Sequence, residues 1–483
     1  MSEYEKFDDN EYKGIQVPLK ITECEELVKG IFGSSVDIII QTLQTAKEAA
    51  MIVYVDGLVN KDLIHRDIIA PIKSPEFNGD LGLALKTEYK ESEEIFAFIN
   101  QVLTGYVAIF YEGSRKVYLT DLKAWSQRAV ETPLAEAVIR GPQEGFTENI
   151  RTNSALIRRK IKTPKLIFEN MIYGKQSKTA VLLVYIDGIV NREILQAIKE
   201  KIASMDTGIV LGTGHIEQHL DPNNFSPFSG IGLTQRPDKA AQKITEGRIA
   251  ILCDGTPECL YIPELFIENI QTIEDYYNRP LYASIIRVLR LIGLAITVFV
   301  PGFAAAILTY NQEMLPSVFL TSIISSTQKT PMPIAFEIFL LTLMFELLKE
   351  AGTRLPREVG SAITIVGSLI IGDAAVNAGI VSAPSVIIVA LTAVTSFIVP
   401  NLFEFTIVYR AMFWLLGSMM GIIGLGAGLF MMLTQVISQR SFGIPILSSF
   451  SKEELKDSFV RFPFAMLTYR PGSIAKENVR RRR

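Results

Sequence analysis

Hydroxyl-bearing residues follow one side of a strongly apolar stretch in the last third of the chain. Ser361, Thr364 and Ser368 are spaced i, i+3 and i+7, so a helix would place them on one stripe. Asp373 stands close to the end of the same stretch. Such a stripe can line a narrow passage that gates by dewetting, or it can be a small-residue face on which helices pack. The four residues are therefore pore-lining candidates.

Two carboxylates interrupt a neighbouring apolar run at 334–348. Glu337 and Glu346 are nine positions apart, which places them about 180° apart on a helix. An ionised group is costly in hydrocarbon, so both cannot face lipid. They could form a cation-attracting site at a pore mouth. We favour an interfacial helix whose carboxylates reach lipid headgroups or pair with Lys349 and Arg354.

Two Asp-Gly pairs end apolar runs in the first half of the chain. Asp56 and Asp187 could be a catalytic or metal-binding pair. The alternative is that each carboxylate holds a strand-to-helix turn, with Gly57 or Gly188 supplying a positive φ. We favour turn residues, because no second acidic cluster stands nearby in the sequence.

Other residue types offer little chemistry. His215 and His219 are spaced i, i+4, but the zincin pattern is not met and no third ligand beyond Asp221 is evident. The three cysteines form no CxxC pair, and the sequence contains no phosphate-binding loop and no Ser/His/Asp signature. We therefore expect no metal, no cofactor and no enzyme activity.

Four long runs carry almost no charge. One of them contains the hydroxyl stripe, so these runs indicate the kind of helix that positions it. About 18 or more apolar residues suffice to cross a bilayer as a helix. No soluble core needs several such runs, so the chain is predicted to have a multi-span α-helical membrane domain. The runs are Leu291–Tyr310, Val359–Val381, Pro384–Phe403 and Ala411–Gln439.

Charge placement predicts the sidedness. The opening residues MSEYEKFDDN are acidic and lack an apolar core, so the first half is expected to stay in the cytoplasm. Lys349, Arg354 and Arg357 precede the second run, and arginines end the chain. The positive-inside rule places both groups inside. An even number of crossings is then required, which favours four spans and an interfacial segment at 334–348; five or six spans remain open.

An internal repeat organises the first half. Val53-Tyr-Val-Asp-Gly-Leu-Val-Asn60 returns as Val184-Tyr-Ile-Asp-Gly-Ile-Val-Asn191, and Gly105–Gly113 is echoed by Gly247–Gly255. Each copy is an apolar β-branched run, a turn and a helical pattern, which predicts two related α/β subdomains. The predicted divisions are an N-terminal, partly disordered segment 1–45, subdomains 46–150 and 151–280, a membrane domain 281–439 and a cytoplasmic tail 440–483.

The balance of 48 Lys and Arg against 51 Asp and Glu in 483 residues does not indicate nucleic-acid binding. Several motifs together resemble the A subunit of the GerA-type spore germinant receptors, although Gln235 stands where that family usually has Glu. The motifs include Arg140-Gly-Pro142, Thr234-Gln-Arg-Pro-Asp238, Glu246-Gly-Arg248, Asp254-Gly-Thr-Pro257, Arg279-Pro280, Pro301-Gly302, Gln312-Glu-Met-Leu-Pro316, Gly372–Gly379 and Arg470-Pro471.

The resemblance implies a subunit of a nutrient receptor in the inner membrane of a bacterial spore. Its partners would be a permease-like B subunit and a lipoprotein C subunit, and copies of the A subunit would oligomerise and conduct ions. The first half and the tail would face the spore core. Two other functions remain open: a solute transporter, and a scaffold without a pore that holds the permease-like partner.

Overall fold

The computed structural model has an α/β part with two sheets, followed by a helical part. Each part is built around its own buried apolar residues. The structure describes residues 12, 14–45, 48–75, 77, 79–124, 136, 138, 140–221, 226–354, 372–447, 456–463, 465–475 and 480.

The first sheet has five antiparallel strands in the order β1-β2-β4-β5-β3. Its strands are β1 (Ile38–Gln44), β2 (Ala49–Val55), β3 (Tyr89–Ser92), β4 (Tyr106–Tyr111) and β5 (Val117–Asp121). The helical segments around it are α1 (Ile21–Phe32), α2 (Lys61–Ile64), a π-helical turn (His65–Ile69), α3 (Ala70–Lys73), α4 (Leu81–Ala84) and α5 (Ile95–Leu103).

The second sheet repeats this order as β6-β7-β9-β10-β8. Its strands are β6 (Leu166–Tyr173), β7 (Thr179–Ile186), β8 (Gly232–Thr234), β9 (Ile249–Cys253) and β10 (Cys259–Ile262). The helices around it are α6 (Ile150–Lys160), α7 (Arg192–Ala203), α8 (Thr213–Leu220) and α9 (Pro237–Thr245).

Both central strands are buried on two faces, which explains why they are continuous apolar runs. In β2, Met51, Val53 and Val55 pack with α1 and α5, while the alternate residues pack with the helical segment 61–73. In β7, Val184 packs with α6 and α9. The two copies therefore have equivalent layers, and α1 corresponds to α6.

Strand β1 belongs to the first sheet, since it pairs with β2 over seven residues. Helix α1 covers one face of that sheet through buried Val28 and Phe32. Residues 21–44, which fall in the predicted N-terminal segment 1–45, thus pack as part of the first sheet and its cover. The predicted divisions stay predictions.

The helical part begins after a short helix α10 (Glu274–Tyr277) with α11 (Pro280–Tyr310), which has proline at its first position. It continues with α12 (Ser317–Thr327), α13 (Ile334–Arg354), α14 (Ala383–Ser396) and α15 (Phe403–Ser438). In the described part of the chain, two helical stretches are long and apolar enough to cross a membrane, Pro280–Tyr310 and Pro400–Ser438.

Helix α15 reverses its direction at Gly421, whose φ is +59° and ψ is −139°. The hydroxyl of Tyr409 donates to Oε1 of Gln435 over 2.8 Å. A straight helix would place residues 26 positions apart about 39 Å from each other. The predicted last span is therefore a hairpin of two antiparallel arms, 403–420 and 422–438. It is called the hairpin below.

Glycines permit the close approach of the hairpin arms. A Cβ on Gly424 would lie 2.1 Å from the carbonyl oxygen of Leu416, and one on Gly417 would lie 2.5 Å from that of Gly302 in α11. The tip of the hairpin at Gly421 contacts Tyr310, at the end of α11. The hairpin thus lies along α11 and returns the chain toward the α/β part.

The chain after the hairpin packs on the second sheet. The hydroxyl of Ser441 donates to the carbonyl oxygen of Gly230 over 2.7 Å, and the amide of Phe266 donates to that of Ile446 over 3.1 Å. These contacts place the beginning of the tail on the same side of the helical part as the sheets.

Candidate functional site

The two Asp-Gly pairs form strand-to-helix turns. Gly57 and Gly188 have φ values of +82° and +81°, a region that glycine enters without a steric cost. Asp56 lies 2.8 Å from the ammonium of Lys61, and Asp187 lies 3.7 Å from the guanidinium of Arg192. Neither carboxylate has the other among its polar contacts in the described chain, so the structure does not bring them together.

Glu337 lies inside the helical part and is fully buried. Its Oε2 accepts hydrogen bonds from the Ser382 amide (3.0 Å), the Ser382 hydroxyl (2.6 Å) and the Ser385 hydroxyl (2.6 Å). Ser382 is the N-cap residue of α14, where a negative charge is favourable. Glu337 therefore joins α13 to the beginning of α14, and its buried position does not reach lipid headgroups.

Glu346 pairs with Arg410 of the hairpin. The predicted partners were Lys349 and Arg354, and the structure corrects this. Arg354 pairs with Glu350 instead, while the Lys349 ammonium lies 3.2 Å above the ring of Phe403. Spacing along one helix suggested partners on that helix, but the nearest guanidinium comes from another helix. The two carboxylates thus connect α13 to two different neighbours.

Of the pore-lining candidates, the structure describes only Asp373, which is exposed. Ser361, Thr364 and Ser368 lie outside the described residues, so their role stays a prediction. A Cβ added to Gly372, next to Asp373, would lie 3.5 Å from Val386 in α14.

The candidate functional site is a buried ionic cluster where the α/β part meets α11, called the junction below. Asp275 of α10 is 2% exposed and accepts from Arg287 Nε over 3.0 Å and from Arg290 Nη1 over 2.8 Å. Arg287 Nη1 also donates to the Asp457 carboxylate over 3.2 Å. Arg461 donates to the carbonyl oxygen of Asn278 over 2.7 Å.

The junction joins three segments that are distant in the sequence. The segment after the second sheet supplies Asp275, α11 supplies Arg287 and the C-terminal segment supplies Asp457. Removing one partner of a buried ion pair typically costs about 3–5 kcal/mol, because the other charge stays buried. Among its described residues the cluster has no exposed nucleophile or acid–base pair. Its ion pairs hold the α/β part, α11 and the tail together.

A second buried ionic cluster joins the second sheet to the segment that follows it. Arg248 is fully buried and donates to Glu246 over 2.6 Å and to Glu268, which also lies 2.8 Å from the Lys243 ammonium. Nearby, burial raises the pKa of Glu264 to about 7. The last part of the second sheet is thus tied to the segment that leads into the junction.

The structure also connects the two sheets through Arg158, whose basic run would by sequence alone be placed on a solvated or subunit-facing surface. Arg158 was part of a basic run on α6, but it is fully buried and donates to Asp37 over 2.7 and 2.9 Å. In the sequence, Arg158 stands between Ile157 and Arg159, and no local feature distinguishes it from an exposed arginine. Its partner, 121 positions away, could not be inferred from spacing.

In the described part of the chain, no group of three or more His, Cys, Asp and Glu side chains is placed to hold a metal ion. His215 Nδ1 accepts from the Leu211 amide over 3.2 Å, and His219 Nε2 lies 2.9 Å from the carbonyl oxygen of Lys201. Both imidazoles therefore serve local contacts.

Comparisons with known proteins agree with the motifs. Residues 26–473 match the model of the family described as Bacillus/Clostridium GerA spore germination protein. Spore germination protein KA of Bacillus subtilis (strain 168) is 37% identical over 92% of this chain and 85% of its own length. Spore germination protein GerLA of Bacillus cereus is 33% identical over 95% of this chain and 96% of its own.

One solved structure is also similar, the N-terminal domain of the A subunit of the Bacillus megaterium spore germinant receptor GerK3. It is 29% identical, with a TM-score of 0.42, and the alignment covers 52% of this chain and 98% of that domain.

Proposed function

The chain belongs to the GerA family of spore germinant receptor A subunits, and we propose that it works in a nutrient receptor of the spore inner membrane that initiates germination. The relatives are named spore germination proteins, which supports a role in germination. In the proposed receptor, copies of this subunit form an oligomer that conducts ions when nutrient binds. The activity is not enzymatic.

The proposed topology is multi-pass, with the α/β part and the tail on the spore-core side. It is supported by the tail contacts at Gly230 and Phe266. The hairpin arms 403–420 and 422–438 contain 18 and 17 residues and rise about 26 Å each, close to the ~30 Å of hydrocarbon. Two short crossings in place of one long span raise the four favoured spans to five, so α13 (Ile334–Arg354) is proposed to cross as well, which gives the even number of six.

The proposed partners are the permease-like B subunit, the lipoprotein C subunit, further copies of this chain and lipid. The apolar surface of the helical part supports this. Side chains on α14 and the hairpin are more than half exposed and need lipid or protein cover. They include Ile387, Val394, Met419, Ile423 and Phe430.

The junction carries the mechanistic proposal. Asp275, Arg287 and Asp457 join the α/β part and the tail to α11. In the proposed topology, α11 is the first helix that enters the bilayer. A displacement of the α/β part would then be passed to α11 and to the hairpin packed on it, and we propose that it reaches the predicted helix at 359–381. Ser361, Thr364, Ser368 and Asp373 are proposed to line the passage that opens there.

The pore is tested by replacing one stripe residue. Thr364→Leu is expected to slow the early release of monovalent cations from spores after nutrient addition. Thr434→Leu is the matched control, because Thr434 is exposed on the hairpin and its hydroxyl bonds only to main-chain carbonyls. Normal release with Thr364→Leu, and likewise with Ser361→Leu and Ser368→Leu, would contradict a pore at this stripe.

A scaffold without its own pore is the alternative function, followed by a solute transporter. Recording from the purified oligomer in a planar bilayer separates the scaffold from the channel. Unitary currents that disappear with Thr364→Leu support the channel, whereas a silent bilayer supports the scaffold.

A further inference from the structure

A cavity of about 450 Å³ lies between the second sheet and the beginning of the hairpin. Thr234 of β8 and Glu264, just after β10, belong to its wall on the α/β side, and residues 400–404 form its wall on the helical side. This volume is within the ~300–1,000 Å³ typical of small-molecule sites. A molecule bound here would contact both parts of the protein.

Carboxylates dominate the polar lining. Five glutamates line the cavity, and no Lys, Arg or His side chain lies among the described residues of its wall. Glu136 is paired with Lys239 over 2.8 Å. The other four form no ion pair with a described residue: Glu217, Glu258, Glu264 and Glu404. A partly enclosed space with this excess of negative charge favours a cation.

The side-chain amide of Asn269 is a second, independent observation that indicates a bound molecule. Asn269 lines the same cavity, its side chain belongs to a residue only 8% exposed, and its buried Nδ2 donates to no acceptor in the described chain. A buried donor without an acceptor is unfavourable. The oxygen of a water molecule carried into the cavity with a bound cation would satisfy this donor.

We propose that the cavity binds a small organic cation, which is attracted by the negative charge of Glu217, Glu258, Glu264 and Glu404 along the wall. The rings of Phe228 and Phe403 also line the wall and can pack against its methylene groups and its charge. A bare metal ion fits less well, since no group of three acidic side chains is placed to hold one in the described chain. The bound cation would bridge the second sheet and the hairpin.

Two carboxyls of the site make the binding depend on pH. Burial raises the pKa of Glu264 to about 7, and burial with neighbouring carboxylates raises the pKa of Glu217. An ammonium group favours the ionised carboxylates, so binding releases protons and strengthens as the pH rises through about 7. The charged or titratable groups around these two carboxyls are Glu136, Asp221, Lys239, Lys243, Glu258, Tyr261, Glu268 and Glu404.

The test is calorimetric titration of the full-length protein in detergent with putrescine, using butanediol as an uncharged molecule of the same shape. Putrescine is expected to bind and butanediol is not. Glu258→Gln and Glu404→Gln each remove one carboxylate, from opposite walls, and each is expected to weaken putrescine binding about tenfold or more. Glu200→Gln, on the exposed face of α7, is the matched control and leaves the affinity unchanged.

Equal binding of butanediol, or unchanged putrescine binding in either cavity variant, would overturn the proposal. Glu404 is exposed, so its substitution leaves the fold intact and keeps the test decisive. This test measures putrescine binding and does not measure ion release. Failure of this site therefore says nothing against the proposed channel, and failure of the channel says nothing against this site.

Discussion

Arg287 of α11 and Asp457 of the C-terminal segment lie 170 positions apart, yet the guanidinium donates to both the carboxylate and the main-chain carbonyl of Asp457, over 3.2 and 2.7 Å. The same guanidinium contacts Asp275 over 3.0 Å. A single buried side chain thus holds the end of the α/β part, the first long apolar helix and the tail in one arrangement.

Breaking the junction is expected to destabilise the whole protein. Asp275→Asn leaves the buried guanidinium of Arg287 and that of Arg290 short of a counter-charge, at a cost of roughly 3–5 kcal/mol. Thermal unfolding of the detergent-solubilised protein measures this loss. Glu350→Gln breaks the exposed pair with Arg354 and is the control, expected to cost about 1 kcal/mol or less. Similar losses in both variants would contradict the role of the junction.

The second prediction concerns two glycines on the same arm of the hairpin. Gly424→Ala places a methyl group 2.1 Å from the carbonyl oxygen of Leu416, so the arms must separate and stability falls. Gly426→Ala meets nothing within 4 Å and is expected to be neutral, or slightly stabilising by up to about 1 kcal/mol. Unfolding temperatures of both variants provide the comparison. A neutral Gly424→Ala would argue against the reversal.

The reversal can also be detected by cross-linking. Tyr409→Cys and Gln435→Cys are combined in a chain whose three natural cysteines are replaced, and the protein is treated with a short bis-maleimide. Intramolecular cross-linking is expected, because the native side chains meet at 2.8 Å. A straight helix would hold these positions about 39 Å apart. If no cross-link forms although both thiols react with a monofunctional maleimide, the hairpin is ruled out.

Glu264 predicts a pH dependence of stability. Burial raises its folded-state pKa to about 7, above the unfolded value of about 4.3. Its contribution to stability is therefore fully present below about pH 4 and is lost as the pH rises through about 7. Glu264→Gln lacks this loss, and its amide oxygen can still accept from Tyr261.

The variant should therefore gain stability relative to the natural protein as the pH rises from 5 to 8, by a few kcal/mol at about 1.4 kcal/mol per pKa unit. Unfolding midpoints across this range provide the measurement, with Glu200→Gln as the control. A difference that does not change with pH would show that Glu264 is ionised throughout.

Local patterns predicted much of the α/β part. The repeat around Val53 and Val184 predicted two copies of one module, and the structure has two sheets with the same strand order. The Asp-Gly pairs marked where strands β2 and β7 end. These features depend on neighbours in the sequence, through the two-residue period of strands and the positive φ that glycine allows.

The helical part shows features that sequence patterns did not predict. Its apolar runs were evident, but the run at 411–439 gave no sign that the chain reverses at Gly421. The length and mean hydropathy of a run depend only on which residues it contains, so they do not show where the chain reverses its direction. The glycines at 417, 424 and 428 leave room for close packing, but their spacing does not show that the partner is the same chain.

The sequence by itself determined the family, the repeated module and the presence of long apolar helices, because these are written in local composition and spacing. Only the tertiary structure decided which charges meet: Arg287 with Asp457, Glu346 with Arg410, and Arg158 with Asp37. The physical reason is that a buried charge must find a counter-charge within a few ångströms in space. That partner can stand anywhere along the chain, so only the folded packing selects it.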